Sequence, residues 1–265
     1  NTPPGLDIQV NTLKVSADDY ARALARSDVA YTLCDFPSGC ITLSGGGVAA
    51  LPGFDEGLFY VQDRAARMAV EIAAPAAGMC VLDACSAPGG KAFAAAVRMK
   101  NTGEILACDI HEKKLALIRQ GAARLGIEII ETETRDARCA DTALEGAFDV
   151  VIADVPCSGV GVIRKKPEIR CKTEREVAAL PAIQRDILAN LSRFVKPNGT
   201  LLYSTCTVLK CENEDVVADF LEGHDDYRLE PFTLGAERVG SGMCTFFPNT
   251  DGTDGFFAAR LKRIK

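Results

Sequence analysis

The stretch MCVLDACSAPGGKAFAAAVRMK, residues 79–100, decides the fold. Met79 to Cys85 is an apolar run with a single carboxylate, the pattern of a strand buried on both faces of a parallel sheet. Gly89 and Gly90 then allow the backbone to pass close to a ligand. Residues 90–100 read as a helix whose first turn offers free N–H groups and positive potential. The turn is neither GxGxxG nor a P-loop, so neither a dinucleotide nor a triphosphate cradle is indicated.

The alternation continues outward. GEILACDI (103–110) is a second strand, and EKKLALIRQGAARLG (112–126) a helix closed by Gly126. IEIIETETRD (127–136) is a third strand, and FDVVIADVP (148–156) a fourth that Pro156 ends. Residues 173–195 are helical, with Pro181 expected to kink or split them. KPNG (196–199) reads as a turn, GTLLYSTC (199–206) as a fifth strand, and CENEDVVADFLEGH (211–224) as a helix with acids in its first turn. YRLEPF (227–232) and GFFAARLKR (255–263) close the chain as strands. Strands separated by helices at this spacing predict a mostly parallel sheet covered on both faces. The first 60 residues differ. LDIQVNTLK, SADDYARALARS and CITLSG suggest a small strand–helix–strand unit with Ser16 as helix cap. A glycine- and proline-bounded loop and a helix over Gln62–Ala74 then lead to the sheet.

Composition narrows the class. The 265 residues are 48% apolar and 25% charged, which suits a globular, soluble chain. No apolar run approaches the ~20 residues of a membrane span. The start, NTPPGLDIQVNTLK, has no signal-peptide pattern and no initiator methionine, so a fragment or processed product is expected. Eleven cysteines without a CxxC, and only two histidines, His111 and His224, argue for a reducing cytoplasmic compartment and against a zinc site or other metal. The net charge of −6 disfavours nucleic acid, but IRKKPEIRCK (163–172) gathers Arg164, Lys165, Lys166, Arg170 and Lys172, and ARLKRIK ends the chain with four more cations.

The strand ends carry the chemistry. Asp109 ends the second strand 20 residues beyond Gly89, where an acid can take both hydroxyls of a ribose. Asp136 ends the third, placed to reach an adenine amino group. Together with the glycine loop they point to an adenosine-bearing cofactor without a pyrophosphate. Cys157 and Cys206 end the fourth and fifth strands beside small polar residues. The other nine cysteines read as small core hydrophobes, Cys80 and Cys108 most clearly, and His111 as a surface residue.

DACSAPGGK, DVPCSGVG and YSTCTVLKCENED together resemble the RNA cytosine-5 methyltransferases of the Sun/Fmu/NSUN type, and within that family the bacterial 16S ribosomal RNA enzymes of the RsmB type. QVNTLK (9–14), GFDEGLFYVQDRAA (53–66) and DGFFAARLKR (254–263) extend the likeness over essentially the whole chain. The resemblance implies an α/β, Rossmann-like class I methyltransferase domain over 61–265, with a mostly parallel seven-stranded sheet and helices on both faces. It also implies a small α+β RNA-contacting subdomain over 1–60. S-adenosylmethionine is then the cofactor, held by Cys85, Ser86, Ala87, Pro88, Gly89, Gly90 and Lys91, with Asp109 on the ribose, Asp136 on the adenine and Asp154 where donor and target base meet. RNA is the partner, ribosomal or else transfer RNA, with Arg164, Lys165, Lys166 and Arg170 as contacts and a monomer as the working form. The RsmB-type enzymes carry a further NusB-like N-terminal domain, which this stretch lacks. Cys171 and Cys211 depart from the family pattern, standing where tryptophan and where proline or glutamate are common.

By the same likeness Cys206 is the nucleophile that adds to carbon 6 of cytosine, and Cys157 assists product release. DNA cytosine-5 methyltransferases use the cysteine of a Pro-Cys pair, which would point to Cys157 instead. Lys91 is placed to lower a thiol pKa. A fold kept for RNA binding without catalysis is the alternative of another class.

Overall fold

The computed structural model describes residues 5–27, 29–44 and 47–265. Residues 1–4 and Gly45, the end of the predicted CITLSG strand, lie outside them.

Four short strands form an antiparallel sheet. They are β1 (Leu6–Val10), β2 (Tyr31–Leu33), β3 (Cys40–Leu43) and β4 (Phe59–Val61), in the order β2-β3-β1-β4. Helix α1 (Ala17–Arg26) starts where the Ser16 hydroxyl accepts from the Asp19 N–H, as expected. Its Tyr20 and Leu24 pack with Ile8, Ile41 and Phe59 into a separate small core. The sequence reading missed β2 and β4. Each has three residues, and β4 sits inside the glycine-bounded stretch taken as a loop, too short for a period of two to show.

The chain continues through α2 (Arg64–Ala73), β5 (Cys80–Asp83), α3 (Gly90–Arg98), β6 (Glu104–Asp109), α4 (Glu112–Leu125), β7 (Ile130–Thr134) and β8 (Phe148–Asp154). It closes with α5 (Glu174–Ala178), α6 (Leu180–Ser192), β9 (Val195–Thr205), α7 (Glu214–Gly223), β10 (Tyr227–Leu229), β11 (Phe232–Leu234), β12 (Glu237–Val239), β13 (Met243–Phe246) and β14 (Phe256–Arg263). The main sheet runs β10-β14-β9-β8-β5-β6-β7, seven strands as expected, and β13 joins as an eighth along the free edge of β14. The five strands from β9 to β7 are parallel, and β14 enters antiparallel. Alternate residues serve opposite faces. Val81, Val150, Ile152 and Leu202 meet α2, α3 and α4, whereas Leu82, Val151, Leu201 and Tyr203 meet α6 and α7. Burial on both faces is the reason the strands read as unbroken apolar runs.

Pro181 does split the long helix, standing in the first turn of α6 after the capped turn α5. The predicted KPNG turn is instead a bulge inside β9. Phe148 of β8 faces Val195 but Val150 faces Thr200, and Asn198 takes φ 61° to loop the extra residues out. The hairpin of β11 and β12, and β13, went unread because these strands are short and mixed in polarity. No helix among the described residues is long and apolar enough to cross a membrane.

The small sheet docks on the C-terminal end of α4. Buried Asn11 donates from its amide to the carbonyls of Gly57 at 2.9 Å and Leu125 at 2.8 Å, and Lys14 donates to Glu56 and Arg124. Gly57 has φ +69°, and a Cβ there would lie 2.0 Å from the Arg124 oxygen. Asn11→Ala leaves two buried acceptors short of a donor and should cost about 1–3 kcal/mol. A urea titration should show an earlier midpoint, and an unchanged midpoint would mean that this docking contributes nothing.

Candidate active site

The C-terminal ends of the five parallel strands, with their polar residues, all face one rim of the sheet. Strand order reverses between β5 and β8, which opens a crevice at that rim. A cleft of 360 Å³ occupies it, lined among others by Cys85, Asp109, Asp136, Pro156, Ile183 and Ile187. A larger concavity, 490 Å³, lies at the opposite ends of β5 and β6 around Glu104 and Glu128, far from the glycine loop, so chemistry rather than size identifies the site.

The Ser86–Lys91 turn is fixed by backbone bonds, Ser86 N–H to the Cys108 carbonyl and Gly89 N–H to the Ser86 carbonyl, each 2.7 Å. Gly89 takes φ 109° at the start of α3, and a Cβ there would press on Phe93 at 2.6 Å. Asp109, 8% exposed, accepts from the backbone N–H of Ala87 at 3.3 Å and of His111 at 2.9 Å, which aims it along the cleft wall. His111 is exposed, as expected. Asp136 lies two residues past β7 and is gripped by Arg138, at 2.7 Å to its Nη2. Beside the loop, Gln62 is 7% exposed, and neither end of its amide has a partner among the described residues. A Cβ on Gly90 would sit 3.4 Å from its Nε2. The donor set fits an adenosine-bearing cofactor: an oriented carboxylate, a second carboxylate further along, apolar walls from Ile183 and Ile187, and an unpaired buried amide.

Across the rim, Lys91 Nζ meets Asp154 Oδ2 at 2.6 Å, and the Ser204 hydroxyl donates to Asp154 Oδ1 at 2.8 Å. Burial opposes the charge of Lys91, but the Asp154 carboxylate overrides it and holds the ammonium above its ordinary range. The lysine also lies 5.3 Å from the Phe256 ring centroid.

β8 and β9 pair in register with Asp154 opposite Ser204. Three residues on is Cys157, two residues on is Cys206, and their sulfurs lie 3.2 Å apart, so one thiol donates to the other. The hydrogen bond from Cys157 lowers the Cys206 thiol, with Lys91 and Lys166 adding to it against burial and Asp154. The same bond raises Cys157 well above a free thiol, and burial and the charges of Cys206, Asp154 and Glu212 reinforce it. Of the two sulfurs, Cys206 is the one whose surroundings favour the thiolate and Cys157 the one held protonated. Gly161 lets the two loops touch. Its N–H donates to the Cys206 carbonyl at 3.0 Å, and a Cβ there would meet the Gly255 oxygen at 1.9 Å.

Residues 70–262 match the family model described as 16S rRNA methyltransferase RsmB/F. The chain belongs to the 16S rRNA methyltransferase RsmB/F family. Members of this family are S-adenosylmethionine-dependent methyltransferases with a class I fold. The chain is similar to the ribosomal RNA small subunit methyltransferase B of Pasteurella multocida, 34% identical over 270 residues, covering 100% of this chain and 60% of that protein. The same enzyme name is carried by a Pectobacterium carotovorum relative, 35% identical over 98% of this chain and 60% of its own length. The chain thus spans about 60% of the length of these curated relatives. A solved structure of a methyltransferase homolog protein from Pyrococcus horikoshii superposes with a TM-score of 0.86 at 26% identity, over 99% of this chain and 87% of that one.

Other expected positions fall differently in this RsmB/F member. Arg164 and Lys165 are both paired with Asp254, at 3.1 and 2.6 Å, and Lys165 also with Asp63 at 2.8 Å. Lys172 donates to the carbonyls of Cys157 and Ser158. All five of these cations are exposed, but Arg164, Lys165 and Lys172 are engaged by groups of the chain itself, whereas Lys166 and Arg170 form no ion pair among the described residues. Cys108 is buried as expected, but Cys80 is half-buried at the strand start, and Cys139, Cys171 and Cys211 are exposed, so the reading of all nine as core fails there. Cys139 lies in a loop and Cys171 and Cys211 in short 3-10 turns, surface segments that cannot bury their whole length. Sequence reasoning missed Asp83, Ser204, Glu212, Gln184 and Gln62, whose roles depend on where side chains point.

Asp83 lies beneath the glycine loop, fully buried, and its Oδ2 accepts from Ser86 at 2.8 Å. Burial pushes its carboxyl from 3.8 up to about 7, against the pull of Ser86 and Lys91. A folded value above the unfolded one contributes stability at acid pH that is lost as pH rises through 7. Melting of Asp83→Asn relative to the unmodified chain should therefore shift upward between about pH 5 and about pH 8. A difference that does not change with pH would show that Asp83 does not titrate in this window.

Proposed function

We propose that the chain methylates carbon 5 of cytosine in small-subunit ribosomal RNA through a covalent bond from Cys206. The observation that carries this reading is the 3.2 Å pair of Cys206 and Cys157 beside the Lys91–Asp154 ion pair, at the mouth of the cofactor cleft. The names of the relatives favour ribosomal RNA, and transfer RNA with the same chemistry is the second reading.

S-adenosylmethionine would be held by the loop from Cys85 to Lys91, by Asp109 at the ribose hydroxyls and by Asp136 at the adenine, and it supplies an electrophilic methyl group. Carbon 5 of cytosine is a weak nucleophile by itself. The Cys206 thiolate adds to carbon 6, forming a C–S bond and moving the electron pair of the double bond onto carbon 5. Lys91 stabilises the thiolate before addition. Asp154, fixed by Lys91 and Ser204, faces the ring where an acid can hold the protonated N3 or the exocyclic amine. After methylation the carbon 5 proton leaves to a base, its bonding pair restores the double bond, and the C–S pair returns to Cys206. Cys157 donates a hydrogen bond to that departing sulfur.

Such a pocket takes an unstacked base, so looped or single-stranded RNA is the target. The unit over residues 1–60 and the 163–172 loop form the RNA-facing side in this reading, with the chain acting as a monomer in the cytoplasm. Lys166 and Arg170 are the available cations there. Replacing both with alanine should weaken binding of a 16S transcript and reduce the salt slope by up to about 2. An unchanged slope in filter binding would remove this loop from the interface.

The covalent step has its own test. With a 16S transcript and S-adenosylmethionine, Cys157→Ala should accumulate a protein–RNA adduct on a denaturing gel, and Cys157→Ala combined with Cys206→Ala should not. An adduct that persists without Cys206 but requires Cys157 would exchange the two roles.

A further inference from the structure

Glu212 follows the Cys206 loop in a short turn and is fully buried. A buried carboxylate is costly unless its surroundings need the charge. Its Oε2 accepts from the Ser158 N–H at 2.8 Å and from Gln184 Nε2 at 2.9 Å. Gln184, itself fully buried, also donates to the Pro156 carbonyl at 3.0 Å. The peptide groups on both sides of Cys157 are thus held by one acid–amide pair. A second tie joins the residues that follow the two cysteines, Ser158 Oγ to Thr207 Oγ1 at 2.9 Å. The Tyr203 hydroxyl donates to the Glu212 carbonyl at 2.5 Å, which fixes the turn from the β9 side.

We infer that Glu212 is a positioning residue for Cys157: with Gln184 it clasps the Cys157 loop so that the second thiol stands against the first. Its carboxylate adds a smaller push against ionisation of Cys157, behind the Cys206 contact, burial and Asp154. The inference rests on the two-cysteine reading above for its catalytic meaning. The groups facing Cys157 are Cys206, Asp154 and Glu212, with Lys172 on the outer side bonded to the Cys157 and Ser158 carbonyls. Lys91 and Lys166 act on Cys206 instead. Asp154 thus acts on both sulfurs, while Glu212 and the Tyr203 hydroxyl lie on the Cys157 side and the two ammonium groups on the Cys206 side.

Glu212→Gln keeps the volume and an acceptor and removes the charge. The first readout needs neither RNA nor cofactor: iodoacetamide labelling of Cys157 and Cys206, resolved by peptide mass spectrometry across a pH series. The midpoint for Cys157 should fall, and its labelling near neutral pH should rise about three- to tenfold, with little change at Cys206. A uniform rise with an unmoved midpoint would reflect a loosened loop and overturn the charge role. The second readout is adduct release from a 16S transcript. Glu212→Gln and Gln184→Leu, the second keeping the charge but freeing Pro156, should both accumulate adduct as Cys157→Ala does. Release at the unmodified rate in both variants would overturn the positioning role. If Cys157→Ala itself traps nothing while the labelling midpoint still moves, the reaction reading falls and the positioning of Cys157 stands.

Discussion

The site depends on the pairing register of two neighbouring parallel strands. Asp154 of β8 faces Ser204 of β9, and the Val155 N–H continues the ladder to the Ser204 carbonyl at 3.0 Å. A slip of one residue would turn Asp154 to the opposite face and part the two sulfurs. The bulge at KPNG lets β9 keep this register at its C-terminal end while Val195 pairs with Phe148 at the other. Burial on both faces holds the register, since Val151, Ala153, Leu201 and Tyr203 fill one core and Ile152 and Leu202 the other.

Once the sulfurs are side by side, electrostatics must make them unequal, because two identical thiols in contact would share one proton. Desolvation raises both. The difference begins with the thiol–thiol hydrogen bond, and unlike neighbours add to it: Lys91 arrives from the first turn of α3 on the Cys206 side, and Glu212 lies beneath Cys157. Asp154 disfavours ionisation of either thiol, and on Cys206 it outweighs the help from Lys91, the lysine with which it is paired. In the proposed reaction, the two cysteines then differ through their mutual hydrogen bond and through the charges each one faces.

Much of this was legible in the sequence, and the reasons are physical. Doubly buried strands announce themselves as apolar runs, so β5, β6, β8 and β9 were readable, and strand-end residues such as Asp109, Cys157 and Cys206 could be placed on one rim from topology alone. The three-residue strands β2, β4, β11 and β12 were not, since fewer than four residues carry no usable period. Direction was also hidden. Arg164 and Lys165 read as unpaired cations in sequence, yet Asp254, about ninety positions away, pairs with both. Glu212 sits in a polar stretch that reads as a solvated helix start, whereas it points inward to the Cys157 loop.

The distribution of unsatisfied polar atoms shows where the fold gives up stability. Among the described residues, buried side-chain atoms without a partner include Gln62 Nε2 and Oε1, Asp83 Oδ1, Gln184 Oε1 and Glu212 Oε1. These five belong to the region where the glycine loop meets the two cysteine loops, and Gln9 Oε1 of the small sheet, Arg67 Nη1 of α2, Arg135 Nε past β7 and Arg263 Nε of β14 lack a hydrogen-bond partner as well. Each would cost about 1–3 kcal/mol relative to a paired group. A core selected for stability alone would replace them with apolar side chains of similar volume, and the two large clusters on the sheet faces show that this chain does so elsewhere. Gln62, whose amide has no partner at either end among the described residues, stands beside the glycine loop where a cofactor would bind, and the apolar faces behind it supply the stability that tolerates such a group.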